Sequence, residues 1–188
     1  MVDGMGMTKP SIPVPAAASL VREPRAFTRL APLLVTAEPV ELDVRGRALL
    51  AAEVTDHIPA LVRALVNHTI ALQNRRGLES GNRQPIQVSV LNRRRRAART
   101  WLLAIVGGDI ERATLHAVSR QWLPTLAGNV DDPAEVRRQA ASCIEFVRGA
   151  ITGLLFDSPT ENLLGHARAL HVLEIVLGLH LAAVAADS

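Results

Sequence analysis

The apolar run ALHVLEIVLGLHLAAVAA, at residues 169–186, constrains the fold of this chain more than any other stretch. A helix needs about 20 mainly apolar residues to span a membrane, and Glu174, near the centre of the run, would be costly in a bilayer. A helix that is apolar around most of its circumference otherwise lies deep in a core or between subunits. The run therefore predicts a buried final helix and no membrane span.

A chain of 188 residues has room for one domain with a substantial core, but few places in which to bury a whole helix. The final helix is therefore predicted to pack at the interface of a homodimer. The residues expected at that interface are Leu170, Leu173, Val176, Leu177, Leu181 and Val184.

Prolines set the main boundary in the chain. Six of the eleven prolines fall between Pro10 and Pro39, where they interrupt every candidate helix because proline lacks the amide donor and clashes with the preceding turn. Residues 1–40 are therefore predicted to form a partly extended, proline-rich arm, and residues 41–188 a helical domain. The first residues show no apolar segment behind a basic one, as a secretory signal would, which favours a cytoplasmic protein.

From Val44 onward, apolar residues recur at helical spacing, which predicts an all-α fold. The fold is expected to be a single helical bundle or a globin-like domain of about six helices. Pro59 should break the first helical stretch, and Pro85 suits the first turn of a later helix. The segment IQVSV, at residues 86–90, alternates apolar and polar residues, so one short strand is an alternative there.

Short polar motifs mark where the helices begin and end. Gly107 and Gly108 are expected to end one helix, and Asp109 to cap the start of the next. Pro124 should kink the last turn of that second helix. The sequences DPAE, at residues 132–135, and SPTE, at residues 158–161, each resemble a capping box that opens a long helix.

The run RRRR at residues 93–96 is the densest concentration of charge, although the formal net charge of the whole chain is only +3. Successive helical residues turn by about 100°, so these side chains point around the whole helix and form no single stripe. Arg94 falls on the apolar face, between Leu91 and Ala98. The whole basic patch comprises Arg93, Arg94, Arg95, Arg96 and Arg99.

This basic patch has two interpretations. It would contact the phosphates of a nucleic acid or an acidic protein surface, or it is a solvated helix shoulder with ion pairs. The second is favoured, because no aromatic residues are interleaved and no second basic helix supports DNA binding. Either the core ends before Arg94, or Arg94 extends out to solvent or meets a carboxylate.

The six histidines show no spacing typical of a metal site, and Cys143 is the only cysteine, so neither a metal site nor an internal disulfide is predicted. A lone histidine in an apolar helical pocket is able to ligate haem, and His116 and His171 are the candidate ligands. Core packing explains such a histidine more often, so the prediction is no cofactor. The chain has no G-x-S-x-G, P-loop or G-x-G-x-x-G motif, and no enzyme activity is predicted.

Two phrases within residues 96–151 resemble the N-terminal helical domains of RsbR-type stressosome and histidine-kinase regulators. AIVGGD, at residues 104–109, resembles their helix-ending AI-x-x-GD phrase, and FVRGAI, at residues 146–151, resembles their F-x-R-x-A-I phrase. The resemblance implies an all-α, globin-related, dimeric input domain without enzyme activity. Some relatives in the wider globin-sensor group bind haem and others do not. The proline-rich arm, and the lack of an output domain behind the helices, depart from that pattern.

Together these patterns predict a non-enzymatic helical regulatory or sensory module. It would act through dimerisation and protein–protein interaction, with room for a small apolar ligand in its core. Two alternatives stay open: a haem- or cofactor-binding globin-like sensor, and a nucleic-acid-associated factor that uses the basic patch. A visible spectrum after haem addition would test the first alternative. Retention on heparin, compared between the wild type and arginine variants, would test the second.

Overall fold

The computed structural model describes residues 42–79, 85–128, 132–157 and 163–186, and within these ranges all regular structure is helical, with no strand. This confirms the predicted all-α fold. The proline-rich arm and the SPTE motif lie outside the described residues. The helices are α1 (Val44–Val54), α2 (Ile58–Glu79), α3 (Val88–Gly107), α4 (Arg112–Ala117), α5 (Leu123–Ala127), α6 (Pro133–Asp157) and α7 (Leu163–Ala186).

Two prolines lie near helix starts, but only one of them lies inside a helix. One 3-10 turn, Thr55–His57, separates α1 from α2 and places Pro59 in the first turn of α2, as expected for a residue that cannot continue a helix. The prediction that Pro85 occupies the first turn of a helix is wrong, because Gln87 is extended (φ −66°, ψ 145°) and α3 begins only at Val88. The strand alternative at residues 86–90 is therefore wrong, because residues 88–90 already belong to the first turn of α3.

Helix α3 ends at the two glycines, as predicted. Gly107 is the last residue of the helix, and Gly108 follows with φ 62°, a left-handed conformation that glycine adopts without strain. Arg47 of α1 donates a hydrogen bond from Nη2 to the Gly107 carbonyl oxygen (2.7 Å). This cation satisfies a terminal carbonyl and meets the negative end of the helix dipole.

Asp109 does not occupy the predicted N-cap position, because the N-cap is Glu111 and α4 begins at Arg112. The Asp109 carboxylate still accepts two hydrogen bonds from this helix start. Its Oδ1 accepts from the Glu111 N–H (3.1 Å) and its Oδ2 from the Thr114 hydroxyl (2.7 Å). Asp109 therefore stabilises the start of α4 from two residues before the cap.

Between α4 and α5 the helix widens into a π turn, Val118–Trp122, just before Pro124. Proline donates no N–H and its ring crowds the preceding turn, so the kink predicted near Pro124 takes the form of this wider turn. The start of α6 follows the predicted motif: Pro133 is its first residue, and Asp132 Oδ1 accepts a hydrogen bond from the Ala134 N–H (3.0 Å).

One cluster of buried side chains from α1, α2, α3, α5, α6 and α7 forms the core. Helix α7 packs closely against α1 at Gly46. A Cβ at Gly46 would lie 2.7 Å from the Arg168 carbonyl oxygen and 3.0 Å from Val172 Cγ2. Any side chain at this position would therefore push α1 away from α7.

Helix α7 turns one face inward and leaves the other partly open. Leu163 and Leu164 lie on the open side, 78% and 66% exposed. Glu174 lies there too and pairs with Arg148 Nε of α6 (3.1 Å). By length and composition alone, α7 is also the one helix among the described residues that could cross a membrane, with a mean hydropathy of 1.9 and 39% of its most apolar window buried.

Candidate functional site

The basic patch divides into exposed arginines and one buried arginine. Arg93, Arg95, Arg96 and Arg99 are exposed, whereas Arg94 is only 2% exposed. The exposed four form the expected solvated shoulder of α3. The ion pairs expected with it are not present, since none of these four pairs with a carboxylate of the described residues.

Three of the exposed arginines line a groove between α2 and α3, with a volume of about 500 Å³. We call it the arginine groove. Arg95 and Arg96 lie four and three residues before Arg99, so the three side chains share one face of α3, and Leu103 continues that face one turn later. The residues that line the groove are Thr55, Ile58, Pro59, Val62, Arg95, Arg96, Arg99 and Leu103.

The α2 side of the arginine groove is apolar. Ile58 and Val62 belong to the core and are almost fully buried, so they form the floor, and Pro59 lies exposed beside them. The described residues that line the groove include no carboxylate. Its wall is therefore uniformly positive beside an apolar floor, a surface that suits an anionic group attached to an apolar body.

Arg94 points into the body of the protein. Its Nη2 donates a hydrogen bond to the side-chain oxygen of Gln73 in α2 (2.7 Å), while Nε and Nη1 are buried without a hydrogen-bond partner. The expectations of an extension to solvent or of a carboxylate partner are therefore wrong, because the partner is a neutral amide. Burial lowers the pKa of Arg94, and a guanidinium nevertheless stays charged at neutral pH.

Glu135, near the start of α6, is engaged by two arginines. Glu135 pairs with Arg76 of α2 and with Arg138 one turn along α6. Gln139, with its amide turned so that the oxygen faces Arg76, donates from its nitrogen to the Ala127 carbonyl oxygen (2.7 Å). These contacts join α2, α5 and α6 in a polar layer, and no carboxylate of the described residues pairs with Arg94.

The structure places both predicted haem ligands on the surface. His116 of α4 and His171 of α7 are exposed, so neither side chain enters the core. The fully buried histidine is His180, whose Nδ1 accepts a hydrogen bond from Trp101 Nε1 (3.1 Å). Among the described residues, no three His, Cys, Asp or Glu side chains cluster as a metal site requires.

His68 of α2 and Ser142 of α6 form a second histidine contact, with Nε2 and Oγ 3.0 Å apart. The His68 ring stacks on Phe146, with 4.6 Å between ring centres. Burial and, next, the charge of Arg75 lower the pKa of His68, so its ring is neutral at neutral pH. A neutral histidine in contact with a hydroxyl resembles the general base and nucleophile of a hydrolytic site. Such a site also needs free N–H donors for the oxyanion, and the backbone amides around His68 and Ser142 are already bonded within their helices.

No protein-family model, curated protein or solved structure matches this chain. The two phrases that resemble RsbR-type domains lie at the C-terminal end of α3 and in the middle of α6. The function therefore has to be inferred from the arginine groove, from the buried polar groups and from the surface of α7.

The predicted dimer-interface residues lie mostly inside the chain's own core. Leu173, Val176 and Leu177 are fully buried, and Val184 is nearly so. Their partners are the neighbouring helices, so these four side chains are not free to contact a second subunit. The other two, Leu170 and Leu181, are half-buried at the edge of the core.

Proposed function

We propose that this protein is a non-enzymatic helical binding module, which takes an acidic amphipathic helix of a partner protein into the arginine groove. The observation that carries the proposal is the set of three guanidinium groups beside the apolar floor of the groove, none of which pairs with a carboxylate of the described residues. A helix with apolar anchors one turn apart and carboxylates beside them matches both features. Such a module would carry out the predicted regulatory or sensory role by binding this partner helix.

The chemistry of the groove favours a protein partner. Leu103 is 45% exposed, so an apolar side chain of the partner would remove it and the α2 floor from water. Carboxylates of the same partner helix would pair with the guanidinium forks, each of which offers two parallel N–H donors. A nucleic acid would use the charges and leave the apolar floor uncovered, and for this reason it is the second choice.

Charge reversal in the groove is the first test. The double variant Arg95→Glu/Arg99→Glu is expected to weaken binding of an acidic, leucine-bearing helical peptide by roughly 30- to 100-fold, since each lost charge pair at an interface is replaced by repulsion. Fluorescence anisotropy of the labelled peptide measures the dissociation constant. The matched control is Arg93→Glu together with Arg137→Glu, which changes the net charge equally at exposed positions outside the groove.

Two further binding experiments distinguish a protein partner from a nucleic acid. A peptide whose leucines are replaced by serine should lose most of its affinity, and Leu103→Ser should weaken the original peptide while leaving single-stranded DNA unaffected. If DNA binds more tightly than the peptide and competes it off, with a steep salt dependence, the nucleic-acid alternative replaces this proposal. Equal loss of peptide binding in the control variant would also contradict it.

We further propose that the protein forms a homodimer through the outward face of α7, a different face from that expected from sequence. Leu163 and Leu164 lie exposed on it, and Phe156 at the end of α6 is 67% exposed. Two copies of this face of α7, related by a two-fold axis, would cover each other with the same surface.

The dimer is tested by multi-angle light scattering at micromolar concentration. The wild-type chain is expected to elute with twice the monomer mass, and Leu163→Asp/Leu164→Asp as a monomer with unchanged helicity. Leu103→Asp, a comparable change in the arginine groove, should leave the mass unchanged. A wild-type monomer contradicts the homodimer, and co-sedimentation with lipid vesicles would instead assign the same face to a membrane surface.

A further inference from the structure

Arg94 is a buried cation whose charge no carboxylate of the described residues compensates. The side chain is 2% exposed, and its one hydrogen-bond partner is the neutral Gln73 amide. Two of its three guanidinium nitrogens, Nε and Nη1, are buried without any partner. Removing a charge from water is costly unless an opposite charge and further hydrogen bonds compensate, so this arrangement calls for an anion.

The described neighbours of Arg94 supply no negative charge. Cys143 of α6 lies close enough to interact electrostatically, but burial raises the pKa of its thiol to about 12 and keeps it neutral. Glu135 on the same helix is engaged by Arg76 and Arg138. Among the described residues, no carboxylate therefore balances the positive charge of Arg94.

Gly128, which follows α5, is the second and independent feature of this place. Its φ of +87° lies in the region that favours glycine, and a Cβ at this position would overlap Arg94 Nη2. A residue with a side chain is therefore excluded twice, by the backbone conformation and by the guanidinium. The bare backbone of Gly128 therefore leaves room for the guanidinium of Arg94 and holds Nη2 against Gln73.

We infer that Arg94, with Gln73 and Gly128 beside it, binds the carboxylate group of a small organic monoacid. A planar carboxylate matches two parallel N–H donors of one guanidinium. Nη2 has a second hydrogen that it does not donate to Gln73, and this hydrogen forms such a pair of donors with the N–H of Nε or of Nη1. One positive charge balances one negative charge, whereas a dianion such as phosphate would bring an unbalanced charge into the interior. This site is separate from the arginine groove and does not rest on the function proposed for it.

Sodium formate is the probe, compared with sodium chloride at equal ionic strength on the full chain. Formate is expected to raise the melting temperature of the wild type by about 5 °C when it is well above its dissociation constant, because a ligand of the folded state stabilises it by mass action. Saturation-transfer NMR should show magnetisation passing from the protein to the formate proton. Chloride at the same ionic strength should produce neither effect.

Arg94→Met is the decisive variant, because it keeps the length of the side chain and removes charge and donors. It is expected to melt at or above the temperature of the ligand-free wild type, since an unpaired buried charge is gone, and to lose both formate effects. Arg93→Met, the exposed neighbour on the same helix, should keep them. If Arg94→Met does not fold, Arg94→Lys serves instead, because it retains the charge without the fork and should lose the saturation transfer.

Three results would overturn the inference. An equal rise of the melting temperature with formate in wild type and Arg94→Met would identify a general salt effect. Equal stabilisation by chloride and formate would show that the site does not select a carboxylate. Absence of saturation transfer to formate in the wild type would show that the unpaired nitrogens bind no carboxylate.

Discussion

Replacement of Trp101 by alanine is expected to lower the free energy of unfolding by about 4 kcal/mol, as for other large-to-small changes at fully buried aromatic residues. Trp101 is fully buried in the core, and its Nε1 donates a hydrogen bond to His180 Nδ1. The change leaves a cavity and also removes a donor from a buried ring, and an unpaired buried polar group costs about 1–3 kcal/mol. Urea denaturation at neutral pH, followed by circular dichroism, measures the loss.

Two variants on the same helix separate the contributions to this effect. Trp101→Phe keeps most of the ring volume without the N–H, so its expected loss is about 1–3 kcal/mol, the contribution of the hydrogen bond together with a smaller cavity. Leu103→Ala, at a position 45% exposed, should cost under about 1 kcal/mol. If Trp101→Ala is no more destabilised than Leu103→Ala, the packing described for this part of the core is contradicted.

The sequence was sufficient for the positions of several helix ends, because the residues that decide them act locally. Gly107 and Gly108 end α3 where predicted, and the Asp132–Pro133 pair opens α6. Pro59 lies in the first turn of α2 as expected. These residues act through φ preference, a missing N–H or a side chain that bonds an amide two residues away, and each of these effects is contained in a few consecutive residues.

Periodicity alone misplaced other features. The alternation in IQVSV suggested a strand, yet Val88 is 72% exposed at the first turn of α3 and the alternation has no buried side. The apolar composition of α7 suggested an interface at Leu173 and Val176, but those residues fill the chain's own core. Periodicity shows which face of a helix is apolar and does not show whether that face meets the same chain or another one.

The binding features could not be read from the sequence, because they depend on residues that only the fold brings together. The geometry of α3 correctly placed Arg94 on the apolar face, but its partner Gln73 lies 21 residues away on another helix. The arginine groove likewise needs Thr55 to Val62 of the α1–α2 region opposite α3. The spacing of Arg95, Arg96 and Arg99 on one helical face was the available signal for one wall of that groove.

Acidification is expected to destabilise the protein through His180. Burial lowers the pKa of His180 from 6.5 to about 4, an effect that the nearby Asp109 partly offsets. The unfolded chain therefore takes up a proton at a higher pH than the folded chain, and stability that is complete above pH 6.5 is lost as the pH falls towards 4. From this one group the loss in the free energy of unfolding is about 3 kcal/mol by pH 4.

The contact with Trp101 acts in the same direction as burial and supplies the control. His180 Nδ1 accepts the indole N–H, so its ring proton resides on Nε2, and a second proton on Nδ1 would set two N–H groups against each other. In His180→Asn the side-chain oxygen accepts the hydrogen bond from the indole N–H and does not titrate. Urea denaturation at neutral pH and at about pH 4 measures how much the free energy of unfolding falls between them, and this fall should be about 3 kcal/mol smaller in His180→Asn than in the wild type. His171→Asn, at an exposed position of α7, should keep the wild-type dependence. An unchanged dependence in His180→Asn would show that other groups control acid unfolding.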